Sequence, residues 1–280
     1  MTVDEVIRAA LDEDLADGPD VTSLATIPEG HRSQLDLVAR QDGVVAGLDV
    51  AKRAFEMVGP IAVEVLADDG DHVSAGQVLL RAVGPTRDLL TAERTALNLL
   101  THLSGVATAT AAWVDLLGAD GPRVRDTRKT LPGLRALQKY AVRCGGGVNH
   151  RMSLSDAALI KDNHIVAAGG VVQAFEEVRE QFPGIPLEVE VDSLAQLREV
   201  LDAGADLVLL DNFTPEQMRE AVAVTGGRAM LEASGGLTLD NAAQVADTGV
   251  DYVAVGALTH SVTVMDIGAD LREINDATDH

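Results

Sequence analysis

Cysteine is all but absent from this chain of 280 residues: Cys144 stands alone, which excludes an internal disulfide and any multi-cysteine metal cluster. A lone thiol fits a reducing compartment, so a cytoplasmic location is expected. Aromatic residues make up only 2% of the chain, and lysine is limited to Lys52, Lys129, Lys139 and Lys161. No apolar run reaches the ~20 residues of a membrane-spanning helix. The opening MTVDEVIRAALDEDLADG has no basic segment followed by an apolar run and no small-residue cleavage pattern, so neither a signal peptide nor a membrane role is expected. Positive charge is in deficit as well. With 22 Lys and Arg against 44 Asp and Glu, the formal net charge is -22. That balance disfavours nucleic acid or an anionic membrane as partner, while leaving room for a small polyanionic metabolite.

Against this background one stretch reverses sign. Residues 118–161 carry Arg123, Arg125, Arg128, Lys129, Arg135, Lys139, Arg143, Arg151 and Lys161 against Asp120, Asp126 and Asp156. A cleft can focus positive potential inside an acidic protein, so the island points to a pocket for small anions. It lacks interleaved aromatics, a further argument against single-stranded nucleic acid.

The hydrophobic rhythm divides the chain at residues 1–117 and 118–280. In the first part, Val3 to Leu15 have helical spacing ended by Gly18-Pro19. LDLVAR, VVAG, IAVEVL and VLLRAV then read as short strands around a helix at Val50 to Val58. A long helical pattern from Pro85 and Thr86 onward is expected to break near Ser104-Gly105. Within it Arg94 interrupts an apolar surface between Leu90 and Leu97; buried there, it needs a partner such as Glu93, or a ligand. VEVLADDGDHVSAGQVLLRAVG has the outline of a carrier hairpin, but no lysine lies between Lys52 and Lys129 to receive a cofactor.

From Gly121-Pro122 onward, strands alternate with helices. VRDT, AALIKD, LEVEVD, LVLLDN, MLEASGG and YVAVGA are strands, with helices at 170–182, 194–203, 215–224 and 239–248. This pattern predicts an α/β fold of parallel units whose functional loops lie at the carboxyl ends of the strands. The count is six strands, or seven if VTVMDI at 262 contributes; the C-terminal tail is free to pack back on the first domain.

Three segments carry cations: Arg128 and Lys129 in DTRKT just beyond a strand, His150 and Arg151 in VNHRM, and Lys161 and His164 in LIKDNH around another strand end. Arginine offers a planar fork to a carboxylate or phosphate, and lysine a compact charge on a flexible stem. A solvated strand end is the plainer reading of each segment; the three together point to a shared anion site. Ser234-Gly235-Gly236 follows an apolar strand and precedes a helix, so its backbone N–H groups suit a phosphate, with Gly256 completing the cradle; a simple turn is the alternative. Glu190 and Asp211, at the ends of neighbouring units, suit ribose hydroxyls or Mg²⁺ held through water rather than a structural metal. Asp192 and Asn212 are weaker candidates of the same kind.

The series TAERTALNLLTHLSGVAT, RDTRKTLPGLRALQKYAVRCGGGVNHR, ALIKDNH, EVEVDS, LLDNF, EASGG and VAVGALTHS resembles the quinolinate phosphoribosyltransferases over almost the whole chain. The resemblance implies an incomplete (six- or seven-stranded) parallel α/β barrel with an N-terminal α+β sandwich-like domain, assembled as a homodimer or dimer-based oligomer. It implies Mg²⁺ as cofactor, and quinolinate and 5-phosphoribosyl 1-pyrophosphate as substrates that yield nicotinate mononucleotide, pyrophosphate and CO₂. By position, Arg128, Arg151 and Lys161 match residues that bind the quinolinate carboxylates, with His150 near the ring and Lys129 serving that pocket or the pyrophosphate. Arg94 matches an arginine contributed across the dimer. Lys139 matches a basic residue near the phosphoribosyl donor. Glu190 and Asp211 match the ribose and metal positions, and Lys161, Glu190 and Asp211 form the expected catalytic set. Ser234, Gly235, Gly236, Gly256 and His260 match the phosphate loops. A related transferase acting on another base, or a non-catalytic sugar-phosphate-binding barrel, remains the alternative; a dicarboxylate calls for more facing cations than a monocarboxylate.

Overall fold

The computed structural model describes residues 1–16 and 18–274. The chain forms two compact units, one of residues 1–109, 131–145 and 261–280 and the other of 110–130 and 146–260.

The first unit opens with α1 (Val3–Asp14), whose N-terminus is closed by a reciprocal Thr2/Glu5 capping box, and α2 (Val21–Thr26), capped by Asp20. Its four-stranded sheet uses β1 (Arg32–Ala39), β3 (Ala62–Val65) and β5 (Val78–Pro85). The short β2 (Gly43–Val44) pairs with β4 (His72–Val73), and α3 (Leu48–Val58) lies between β2 and β3 in the chain. Of the predicted strand VVAG only Val44 lies in a strand. Its backbone is satisfied instead by a helix: the Ser104 hydroxyl takes the Ala46 N–H (3.0 Å) and the Thr108 hydroxyl takes the Val44 N–H (2.9 Å).

Both hydroxyls belong to α4 (Thr86–Leu117), which runs unbroken for 32 residues. The expected break at Ser104-Gly105 does not occur. Gly105 is there for close approach: a Cβ on it would sit 2.4 Å from the Thr263 carbonyl oxygen. The expectation of a buried Arg94 is corrected too, since Arg94 is exposed on α4. Helix α5 (Arg135–Cys144), which the strand–helix rhythm did not anticipate, belongs to this first unit.

The second unit is built on six parallel strands in the order β6-β11-β10-β9-β8-β7. They are β6 (Arg123–Arg125), β7 (Ala158–Ile160), β8 (Leu187–Val191), β9 (Leu207–Asp211), β10 (Met230–Ser234) and β11 (Tyr252–Ala254). Helices α6 (Asp162–Ala168), α7 (Val171–Gln181), α8 (Leu194–Asp202), α9 (Pro215–Thr225), α10 (Leu239–Ala246) and α11 (Ala257–His260) fill the connections. Beyond the edge strand β6, Val148 adds a single parallel bridge to Arg125. VTVMDI supplies no seventh barrel strand. The strand that begins at its end, β12 (Ile267–Glu273), pairs antiparallel with β1 in the first unit.

The register of these strands sorts side chains by polarity. Val189, Val208 and Leu231 stand in one row, and Val191, Leu210, Ala233, Val253 and Val124 in the next, all buried. Because side chains alternate along a strand, Glu188, Glu190, Asp211, Glu232, Ser234 and Arg125 fall on the opposite face. Each apolar side chain contributes roughly 1.5–3 kcal/mol by leaving water. The apolar face thus carries the stability, and the other is left for charge.

Candidate active site

The charged face opens into a cavity of about 290 Å³ lined by Thr127, Arg128, Lys129, His150, Arg151, Leu159, Lys161, Leu209, Glu232, Ser234 and Ala254. Arg128, Lys129, His150, Arg151, Lys161 and Ser234 are thereby brought together from the ends of β6, β7 and β10 and from the segment after Val148. Burial, then the charge of Arg128, holds the Arg151 guanidinium below its ordinary range. Arg151 is steadied by a bond from Nη1 to the Ala157 carbonyl (3.0 Å), while the buried Nε of Arg128 has no hydrogen-bond partner. Two half-buried guanidinium groups repelling each other make a receptor for an anion.

Lys161 follows β7 as the N-cap of α6 and pairs with Glu190 of β8. Its backbone N–H donates to Nδ1 of His164, which fixes the start of α6. Lys129 is exposed at the rim. The Lys129 carbonyl accepts the Thr259 hydroxyl (2.8 Å), and a Cβ on Gly256 would lie 3.0 Å from Lys129 Cδ and 3.3 Å from His260 Nε2. Gly256 therefore leaves space for both side chains.

His150 is buried above an acidic floor. Its Nδ1 accepts the Arg151 N–H (2.6 Å), so the ring proton resides on Nε2, which lies 2.7 Å from Glu188 Oε2 and 3.7 Å from Glu232 Oε1. Glu232 also receives Arg125 Nη1 (2.5 Å), and the Arg125 guanidinium stacks over Tyr252 at 4.6 Å. Asp126 anchors the approach to His150 by accepting its backbone N–H (2.9 Å) and the Asn149 amide (2.5 Å). Burial first, and the charge of Glu188 second, push the Glu232 carboxyl up to about 8. Among the described residues, His150, Glu188 and Glu232 bring three metal-type ligand atoms within 4.8 Å of one another.

Arg125, Glu188 and Glu232 were not among the predicted site residues. The signal for the two acids was available: in LEVEV and MLEAS, acids occupy alternate positions of otherwise apolar strands, in phase with Glu190 and Ser234.

Asp211 closes β9 opposite Ser234, and its Oδ2 accepts the Asn212 amide (2.8 Å). Gly235 and Gly236 have φ of +88° and +63°, a left-handed turn that glycine adopts freely. Asn241 Nδ2 donates to the Gly236 carbonyl (2.9 Å). Glu190 and Asp211 are hard oxygen donors on neighbouring strands, so the donor chemistry fits Mg²⁺ held through water and substrate oxygens. Arg94 and Lys139 lie in the first unit, where Lys139 is fully buried. Neither lines the cavity.

An α/β sheet with cationic loops and a glycine turn at the carboxyl ends of its strands defines an anion-handling enzyme of the barrel type. The family described as "Quinolinate phosphoribosyl transferase, N-terminal domain" matches residues 20–104, and "Quinolinate phosphoribosyl transferase, C-terminal domain" matches residues 106–270. The nicotinate-nucleotide pyrophosphorylase [carboxylating] of Mycobacterium leprae is 55% identical over 95% of this chain and 96% of its own length. The probable enzyme of that name from Bacillus subtilis is 40% identical over 95% and 92%. The solved structure of NadC from Streptococcus pyogenes gives a TM-score of 0.93 at 41% identity, over 98% of this chain and 97% of that one. The chain belongs to the quinolinate phosphoribosyltransferase family. Among the described residues no helix is long and apolar enough to cross a membrane.

Proposed function

We propose that the cavity binds quinolinate beside 5-phosphoribosyl 1-pyrophosphate and that the chain joins them, releasing pyrophosphate and CO₂ and yielding nicotinate mononucleotide, a step of NAD biosynthesis. The observation that carries this reading is the convergence of Arg128, Arg151, Lys129 and Lys161 with His150 on one cavity in a chain of net charge -22. Arg128, Arg151 and Lys161 take the two carboxylates, and His150 lies against the ring. Lys129 serves the same pocket or the pyrophosphate. Ser234, Gly235, Gly236, Gly256 and His260 hold the 5-phosphate. Glu190 and Asp211 face the ribose hydroxyls, and Lys139 belongs with the donor. The family resemblance assigns Arg94 to the pocket of a second copy in a homodimer.

Chemistry then follows from alignment and charge. As the bond from ribose C1 to pyrophosphate lengthens, the pyridine nitrogen attacks C1, and carboxylates near the ribose stabilise the positive character that develops. Mg²⁺, when bound, neutralises charge on the departing pyrophosphate. Glu190 and Asp211 are the residues that would hold it through water. As CO₂ departs, the electron pair of the broken C–C bond stays on the ring carbon beside the quaternised nitrogen, which stabilises it, and a proton from solvent then forms the C–H bond of the product. The cations that grip the carboxylates must release the one that leaves, which suits Lys161: its flexible stem already has Glu190 as a second partner.

A transferase that acts on a monocarboxylate base is the rival reading. The test is to incubate the protein with the donor, Mg²⁺ and either quinolinate or nicotinate, following mononucleotide and CO₂ together. Equimolar product and CO₂ from quinolinate alone is the expected result; product from nicotinate without CO₂ would replace this reading with its rival.

A further inference from the structure

Asn212 has a φ of +57°, and among the described residues it is the only one other than glycine with a positive φ. Asparagine tolerates that conformation better than most residues, so backbone geometry alone is one explanation for it. Three contacts go further. The Asn212 backbone N–H donates to the Ser234 carbonyl (2.9 Å), tying the end of β9 to the end of β10. Its side-chain Nδ2–H donates to Asp211 Oδ2 (2.8 Å), turning the carboxylate of its own neighbour. Its Oδ1 occupies the space that a side chain at position 235 would need, since a Cβ on Gly235 would lie 2.2 Å away. One residue thus touches the acid of β9, the last residue of β10 and the first glycine of the turn.

We propose that Asn212 is a positioning residue for the phosphoribosyl donor, locking the Asp211 carboxylate and the Ser234-Gly235-Gly236 turn into a single rigid rim. The inference rests on the reading of Asp211 and that turn as donor contacts. It assigns Asn212 no contact with the donor and no part in quinolinate binding. A group held by a neighbouring amide keeps one orientation, so the donor meets a preformed ribose and phosphate site instead of ordering one as it binds.

Asn212→Gly separates this role from the plain conformational one, because glycine accepts the same φ while the amide is lost. Calorimetry of the intact protein with the donor and Mg²⁺, and separately with quinolinate, reads both sites without turnover. Asn212→Gly is expected to weaken donor binding about tenfold or more, with quinolinate binding unchanged. Asn212→Asp, which also tolerates the backbone but offers no N–H to Asp211, is expected to do the same, and it serves if the glycine variant does not fold. Donor binding at the wild-type level in either folded variant overturns the inference, as does an equal loss of both ligands. If the wild type binds donor but releases no CO₂ from quinolinate, the proposed reaction fails while the Asn212 comparison still decides the inference. A wild type that binds no donor overturns both.

Discussion

At Glu232 burial and the charge of Glu188 act in the same direction and outweigh Arg125. The side chain is fully buried, with Glu188 nearby and Arg125 as its ion-pair partner, and its carboxyl is pushed from 4.5 up to about 8. In the unfolded chain the group has released its proton by about pH 5. Between there and about pH 8 the native state therefore binds a proton that the unfolded state does not, and stability falls as pH rises through that window. Below the window both states are protonated, and above it both are ionised, so the slope vanishes at either end. Glu232→Gln removes the titration while leaving an oxygen for Arg125. Denaturant unfolding of both proteins across this range should show wild-type stability declining relative to the variant as pH rises. Parallel pH profiles would mean that Glu232 titrates like an ordinary glutamate.

Gly105 tests the same logic in an element. Replacing a mid-helix glycine by alanine usually stabilises by roughly 0.5–1 kcal/mol. In α4 the sign is expected to reverse, because the added Cβ would meet the Thr263 carbonyl at 2.4 Å, with Val264 Cα at 3.0 Å behind it. Overpacking of this kind costs typically about 1–3 kcal/mol. Thermal unfolding of Gly105→Ala should show a lowered Tm; a raised one would mean that the 261–265 segment yields to the new methyl group. The helix also marks where local pattern stops being informative. Glycine beside serine reads as a break, whereas the reason for both residues lies across space, at Thr263 for Gly105 and at Ala46 for Ser104. Most of the parallel strands were legible as short, largely apolar segments alternating with helical stretches; β6, with Val124 between Arg123 and Arg125, is the exception. The cations at their ends were legible because lysine is scarce and the chain acidic. Glu188 and Glu232 could be read from the alternation in LEVEV and MLEAS, and register aligns Glu190 and Glu232 with the same residue, Leu209; Arg125 became visible only in the structure. Helix α5 has the periodicity of an amphipathic helix, with Leu137, Ala141 and Val142 on its buried side, but lies outside the strand–helix alternation; the pairing of β12 with β1 is a long-range outcome that neither periodicity nor composition encodes.

For the molecule as a whole, the decisive question is how many copies make one site. Arg94 is exposed on α4, in the unit built around the four-stranded sheet, and the cations of the cavity belong to the other unit. A guanidinium in water gains little from surface acids, so its place in the reaction depends on the ligand it meets. If Arg94 serves the pocket of a second copy, two inactive variants must complement each other. Arg94→Ala leaves its own cavity cations intact but withholds the arginine from its partner, while Lys161→Ala has a crippled cavity yet still supplies Arg94. In a mixed dimer one pocket then carries both defects and the other carries neither. Random exchange makes half of the dimers mixed, with one intact pocket in each, so activity should return to about a quarter of the wild-type level. Mixing the two purified variants, allowing subunits to exchange and measuring CO₂ release from quinolinate against each variant alone reads this directly. Should Arg94 instead act within its own chain, every pocket in every dimer would keep one defect and the mixture would remain as inactive as its parts.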